Sequence, residues 1–60
     1  MQHHKFIHKD DPAKVIHEEH LPTSLNDGDT YEINGVKYRV LAVSYDSKAG
    51  CHVVKVNEHD

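Results

Sequence analysis

The sequence has no tryptophan, one cysteine (Cys51), one phenylalanine (Phe6) and one arginine (Arg39) in 60 residues. Each scarcity excludes something. A single thiol cannot form an intramolecular disulfide, so the chain is not stapled, and the default setting is the cytoplasm. The longest unbroken apolar run, residues 40–43, is far below the ~20 residues a membrane-spanning helix needs. Residues 1–5 lead into no apolar signal-peptide core, so no membrane role is expected. Lysine and arginine number 7 against 10 acidic residues, for a formal charge of −3. That balance speaks against a general nucleic-acid binder, which needs a basic footprint. Hydrophobic residues make up only 37%. A domain of this size buries only about 60% of the surface its unfolded chain exposes, so a partner or self-association is a natural supplement.

What is present begins with Ile33-Asn34-Gly35-Val36. Asn-Gly between alternating segments is the strongest short hairpin signal, because a type I′ turn needs positive φ at both central residues. A two-residue loop sets the register: Ile33 faces Val36, Glu32 faces Lys37, Tyr31 faces Tyr38 and Thr30 faces Arg39. Ile33, Tyr31, Val36, Tyr38 and Val40 then share an apolar face, while Thr30, Glu32, Lys37 and Arg39 share a polar one. A slip of one residue would drive Lys37 and Arg39 into the core.

A second hairpin follows, with strands at residues 36–45 and 51–57 around the polar loop 46–50. With the whole loop open, Tyr45 pairs with Cys51, Val43 with Val53 and Leu41 with Lys55 on one face. Ala42 then pairs with Val54, and Val40 with Val56, on the other. Both faces are largely apolar, which a one-sided antiparallel sheet should not be. A bulge near Leu41 would swap the faces. Alternatively, the N-terminal segment covers the outer face, or that face is a binding patch made of Leu41, Val43, Tyr45, Cys51 and Val53.

Toward the N-terminus, residues 1–4 read as a frayed tail, as do residues 58–60. Residues 5–9 read as a short strand. Residues 11–20 support two readings. Val15 and Ile16 favour a strand, whereas Asp11 as N-cap, Pro12 at the first helical position and Glu18-Glu19 favour a short helix. Leu21 and Leu25 are placed to plug the open end of the sheet. The fold expected is one small mostly-β domain, an SH3-like antiparallel barrel of about five short strands. The alternative is α+β, with the one N-terminal helix.

Seven histidines are the oddest feature of the composition. His17-Glu18-Glu19-His20 would present two imidazoles on one helical face, a start toward a zinc site of about four ligands. On a strand the two point to opposite faces and the site fails. The plainer account is solvated surface histidines. Cys51 and His52 are adjacent, so on a strand they diverge, and Cys51 is expected as a small packing residue rather than a nucleophile. Asn26, Asp27 and Asp29 lack the ligand pattern of a calcium loop and read as a turn. No catalytic acid–base spacing and no cofactor motif is present.

The function expected is therefore non-enzymatic: a small binding module acting through a protein partner or a second copy of itself. A bacterial or phage inhibitor or assembly factor would suit its size. A His-rich metal- or pH-responsive module is one alternative. A nucleic-acid-binding barrel using Lys37, Arg39 and Lys55 is another, disfavoured by the net charge.

Overall fold

The computed structural model describes residues 1–59, and the Asn-Gly hairpin sits where the sequence predicts it. Asn34 and Gly35 take φ of 51° and 84°, the left-handed values a type I′ turn requires. The turn joins β3 (Thr30–Ile33) to β4 (Val36–Asp46). All four expected pairs form, from Thr30 with Arg39 to Ile33 with Val36. The remaining strands are β1 (Gln2–His8), β2 (Asp11–Leu21) and β5 (Cys51–Glu58). The described residues contain no helix, and none could therefore cross a membrane as one.

The five strands form one sheet in the order β2-β1-β5-β4-β3, curled into a half-barrel. Three neighbouring pairs are antiparallel. The fourth departs from an all-antiparallel barrel, because β1 runs parallel to β5. That pairing explains how the N-terminal segment is recruited. It adds at the free edge of β5, and β2 then folds back on β1.

Residues 11–20 are strand, which settles the ambiguity against the helix. A strand there can pair along β1 from Gln2–Leu21 to Phe6–His17, contacts that local helix preference does not supply. Pro12 lies near the start of an edge strand, where its missing N–H removes no ladder bond. Residues 2–4, expected as a frayed tail, belong to β1, and Glu58 belongs to β5.

The second hairpin needs a larger correction. Val40 pairs with Val56 as expected, but the next pair is Ala42 with Lys55, leaving Leu41 as a bulge. From there every pair is offset by one: Val43 with Val54, Tyr45 with His52 and Asp46 with Cys51. The bulge is what reconciles the two apolar faces. It turns Val43 inward, where it packs on the core, and leaves Ala42 exposed. Bulges also bend a strand and increase its twist, which suits a sheet that must curl.

The core is Phe6, Ile33, Val40, Val54 and Val56, flanked by Ile16, Leu21, Leu25, Tyr31, Tyr38 and Val43. Leu21 and Leu25, expected to plug the open end of the sheet, are half-buried against this core. Val36, assigned inward by alternation, is 45% exposed because it borders the turn. The segment at residues 26–29 is a turn tied to β4. Gly28 N–H donates to the Val40 carbonyl at 2.8 Å, and Val40 N–H donates to the Asp29 carbonyl at 2.8 Å.

Candidate functional site

Side-chain alternation along β1, β2 and β5 sorts the histidines into rows. His4, Phe6 and His8 face inward beside His52, Val54 and Val56 in the parallel register. His4 pairs with Glu19, and Phe6 with His17, on the other side. On the opposite face His3 pairs with His20. Six of the seven histidines thus sit in strand pairs; of these His4 is buried, His3, His8, His17 and His52 are half-buried, and His20 is exposed as expected of a surface group.

Three histidines take glutamates. His17 Nε2–H donates to Glu19 Oε1 at 2.9 Å, His3 Nε2–H donates to Glu18 Oε1 at 2.8 Å, and His8 Nε2–H donates to Glu58 Oε2 at 2.8 Å. Tyr31 O–H also donates to Glu19 Oε1, at 2.7 Å. The His17 bond first, then the Tyr31 bond, hold the Glu19 carboxyl below the usual carboxylate range. The His8 bond does the same for Glu58. Burial, then the Glu19 carboxylate, push the Tyr31 phenol up to about 12. The Tyr31–Glu19 bond thereby clasps β3 to β2.

Four histidines stack in two pairs. His3 and His20 lie with ring centroids 4.8 Å apart and planes at 17°; His4 and His52 lie 4.8 Å apart at 21°. Tyr45 meets His52 edge-on at 5.1 Å and 65°. His4 is fully buried. Its Nδ1–H donates to the Gln2 carbonyl at 2.9 Å, and its Nε2 has no partner among the described residues. At this end of the sheet His3, His20, Tyr45, Gly50 and His52 line a hollow of about 440 Å³.

The five residues expected as one partner-binding face do not share a face. Cys51 is 1% exposed and Val43 packs on the core, while Leu41 (39%) and Tyr45 (60%) are exposed. Val53, two residues along β5 from Cys51, is half-buried on the side opposite Val54. The register shift at Leu41 separates the set. Cys51 is a packing residue, as its size suggests.

His17 and His20 point to opposite faces, His17 against Phe6 and His20 against His3. Among the described residues, no three His, Cys, Asp or Glu side chains are placed to hold a metal ion. Lys37, Arg39 and Lys55 are all exposed and share the outer face, since Arg39 pairs with Asn57 and Ala42 with Lys55. Glu32 sits across from Lys37. No family model, curated protein or solved structure matches this chain.

The histidine end escaped the sequence reading for one reason. It is assembled by the parallel β1–β5 pairing, which joins residues about 48 positions apart, and nothing local announces that. A faint signal exists in hindsight: His4, Phe6 and His8 alternate as an inward-facing row should.

Proposed function

We propose that this chain is a non-enzymatic binding module that engages a protein partner through the Tyr45 end of its sheet. The observation that carries the reading is Tyr45 itself. It is 60% exposed, yet its ring is held edge-on by His52 beside the hollow. A large ring, pre-positioned and uncovered, supplies contact area at low entropic cost, and tyrosine is a frequent interface anchor. The other ways to associate are guarded. Strand β2 is an edge, but it carries Pro12, Lys14 and Glu18 and two register irregularities against β1, devices that discourage strand addition. The opposite edge, β3, has only 4 residues. A cytoplasmic setting belongs to the same reading and rests on the single unpaired thiol.

Selection from a random decapeptide library tests it. Enriched peptides should lose at least about tenfold in affinity on Tyr45→Ala, the scale of an interface anchor, and be indifferent to Arg39→Ala. Peptides that ignore Tyr45 and respond to Arg39 would overturn the reading in favour of the basic outer face.

A further inference from the structure

Resting on that reading of the Tyr45 end, we propose that its partner segment is acidic, and that His20 and His52 bind its carboxylates in a proton-linked manner. Three observations converge. First, wherever else this chain engages an imidazole in an ion pair, the acceptor is a side-chain carboxylate: His3 with Glu18, His8 with Glu58 and Asp10, and His17 with Glu19. Second, His20 and His52 both line the hollow, and neither has a carboxylate partner or a ring-nitrogen hydrogen bond among the described residues. Third, their positions are already set. His20 is stacked on His3, and His52 lies between His4 and Tyr45. Donors held in place cost little ordering when a ligand arrives.

The ligand class follows from the donor set. No arginine or lysine lines the hollow, so the planar fork and the compact point charge that favour phosphate are both missing. The imidazoles of His20 and His52, on opposite faces at the same end of the sheet and both lining the hollow, suit separate carboxylates of one acidic segment. Histidine is also the side chain whose charge ordinarily changes near neutrality. Binding an anion favours the charged form of an imidazole, so affinity must rise on acidification. The groups facing this pair are His3 with its bound Glu18, Met1 and Tyr45 around the hollow, and His4 stacked on His52; Asp46, at the end of β4, lies across from Cys51, the neighbour of His52. His4 Nδ1 is committed to the Gln2 carbonyl. Asp46 Oδ1 is committed to the backbone N–H groups of Lys48 and Ala49.

The test uses the whole chain, a capped glutamate-rich decapeptide and its lysine-for-glutamate counterpart, followed in ¹H–¹⁵N spectra. The glutamate peptide should shift Tyr45, Gly50, His52 and His20. Its affinity at about pH 5.8 should exceed that at about pH 7.5 by roughly tenfold, the pH range in which imidazoles charge. His20→Gln, on an exposed side chain, should remove most of that pH dependence; His52→Gln should act likewise if the variant folds. Equal binding of the lysine peptide, a flat pH profile, or no effect of His20→Gln would overturn the inference. If library peptides still depend on Tyr45 but are not acidic, the inference falls and the Tyr45 reading stands. Shifts confined to Lys37, Arg39 and Lys55 would overturn both.

Discussion

Tyr31 O–H donates to Glu19 Oε1 at 2.7 Å, and this one bond joins β3 to β2, the two edges of the sheet. Beneath it the Tyr31 ring stacks on Phe6 at a centroid distance of 5.0 Å. The half-barrel is thus drawn together by an aromatic contact and a clasp rather than by a ladder of backbone bonds.

Tyr31→Phe should remove the clasp and keep the stack. The expected loss is about 0.5–1.5 kcal/mol, the net value of a typical hydrogen bond, read from urea unfolding. The wild-type phenol ionises only at about 12 when folded and near ~10 when unfolded. Its contribution to stability is therefore full below the unfolded value and disappears as pH climbs through the folded one. Tyr31→Phe should flatten the alkaline limb of the stability profile, and an unchanged limb would show that the clasp is not formed in solution.

At the acid end the signs reverse. Glu19 and Glu58 are held below the usual carboxylate range by His17 and His8 respectively. Each contributes stability above that range and loses it as pH falls through its depressed folded value. Glu58→Gln should therefore reduce the steepness of acid unfolding, with circular dichroism across pH as the readout. Steepness identical to wild type would argue against the His8–Glu58 pair.

Aspartate substitutions separate the two sides of the second hairpin. Val43 is half-buried and packs on the core, so Val43→Asp sets a carboxylate against apolar neighbours and should take a large share of a total stability of order 3–9 kcal/mol. Val53 lies half-buried on the outer face, and Val53→Asp should leave a folded protein. Similar melting temperatures for the two variants would contradict the register shift at Leu41.

Deleting Leu41 tests the bulge itself. The pairs on either side, Val40–Val56 and Ala42–Lys55, become consecutive, so the ladder survives while the bend is lost. The expected consequence lies at the far side of the sheet, where Tyr31 should move off Glu19. Its ionisation should then return from about 12 toward the ordinary ~10, followed by ultraviolet titration. Leu41→Ala, at an exposed site, should change stability by no more than about 0.5 kcal/mol.

Gly35→Ala should be costly although nothing crowds the site. No atom lies within 4 Å of an added Cβ, but φ is 84°, and a left-handed conformation costs an L-residue roughly 1–2 kcal/mol. A loss of that size in chemical denaturation is expected. A neutral or stabilising result would show that the turn relaxes to another type.

Local chemistry in the sequence by itself determined the β3–β4 hairpin. Asn34-Gly35 admits one tight turn, and alternation from Thr30 to Arg39 admits one register, so no distant contact was needed. The same local logic gave Cys51 as a small packing residue, although it also offered Cys51 to an outward patch, from which burial removes it. Only the tertiary structure decided the rest. Whether residues 11–20 became helix or strand depended on β1 being alongside, because short segments with mixed propensities follow their neighbours. The two apolar faces of the second hairpin pointed to a bulge near Leu41 as one of three accounts, and the tertiary structure decided for it, with the offset of every pair beyond Val40. The histidine end depended on the parallel β1–β5 pairing, which brings His4 to His52 and leaves Tyr45 uncovered beside them. Those contacts span nearly the whole chain, and the free energy that selects them comes from burying Phe6, Val54 and Val56 together, which no local stretch of sequence contains.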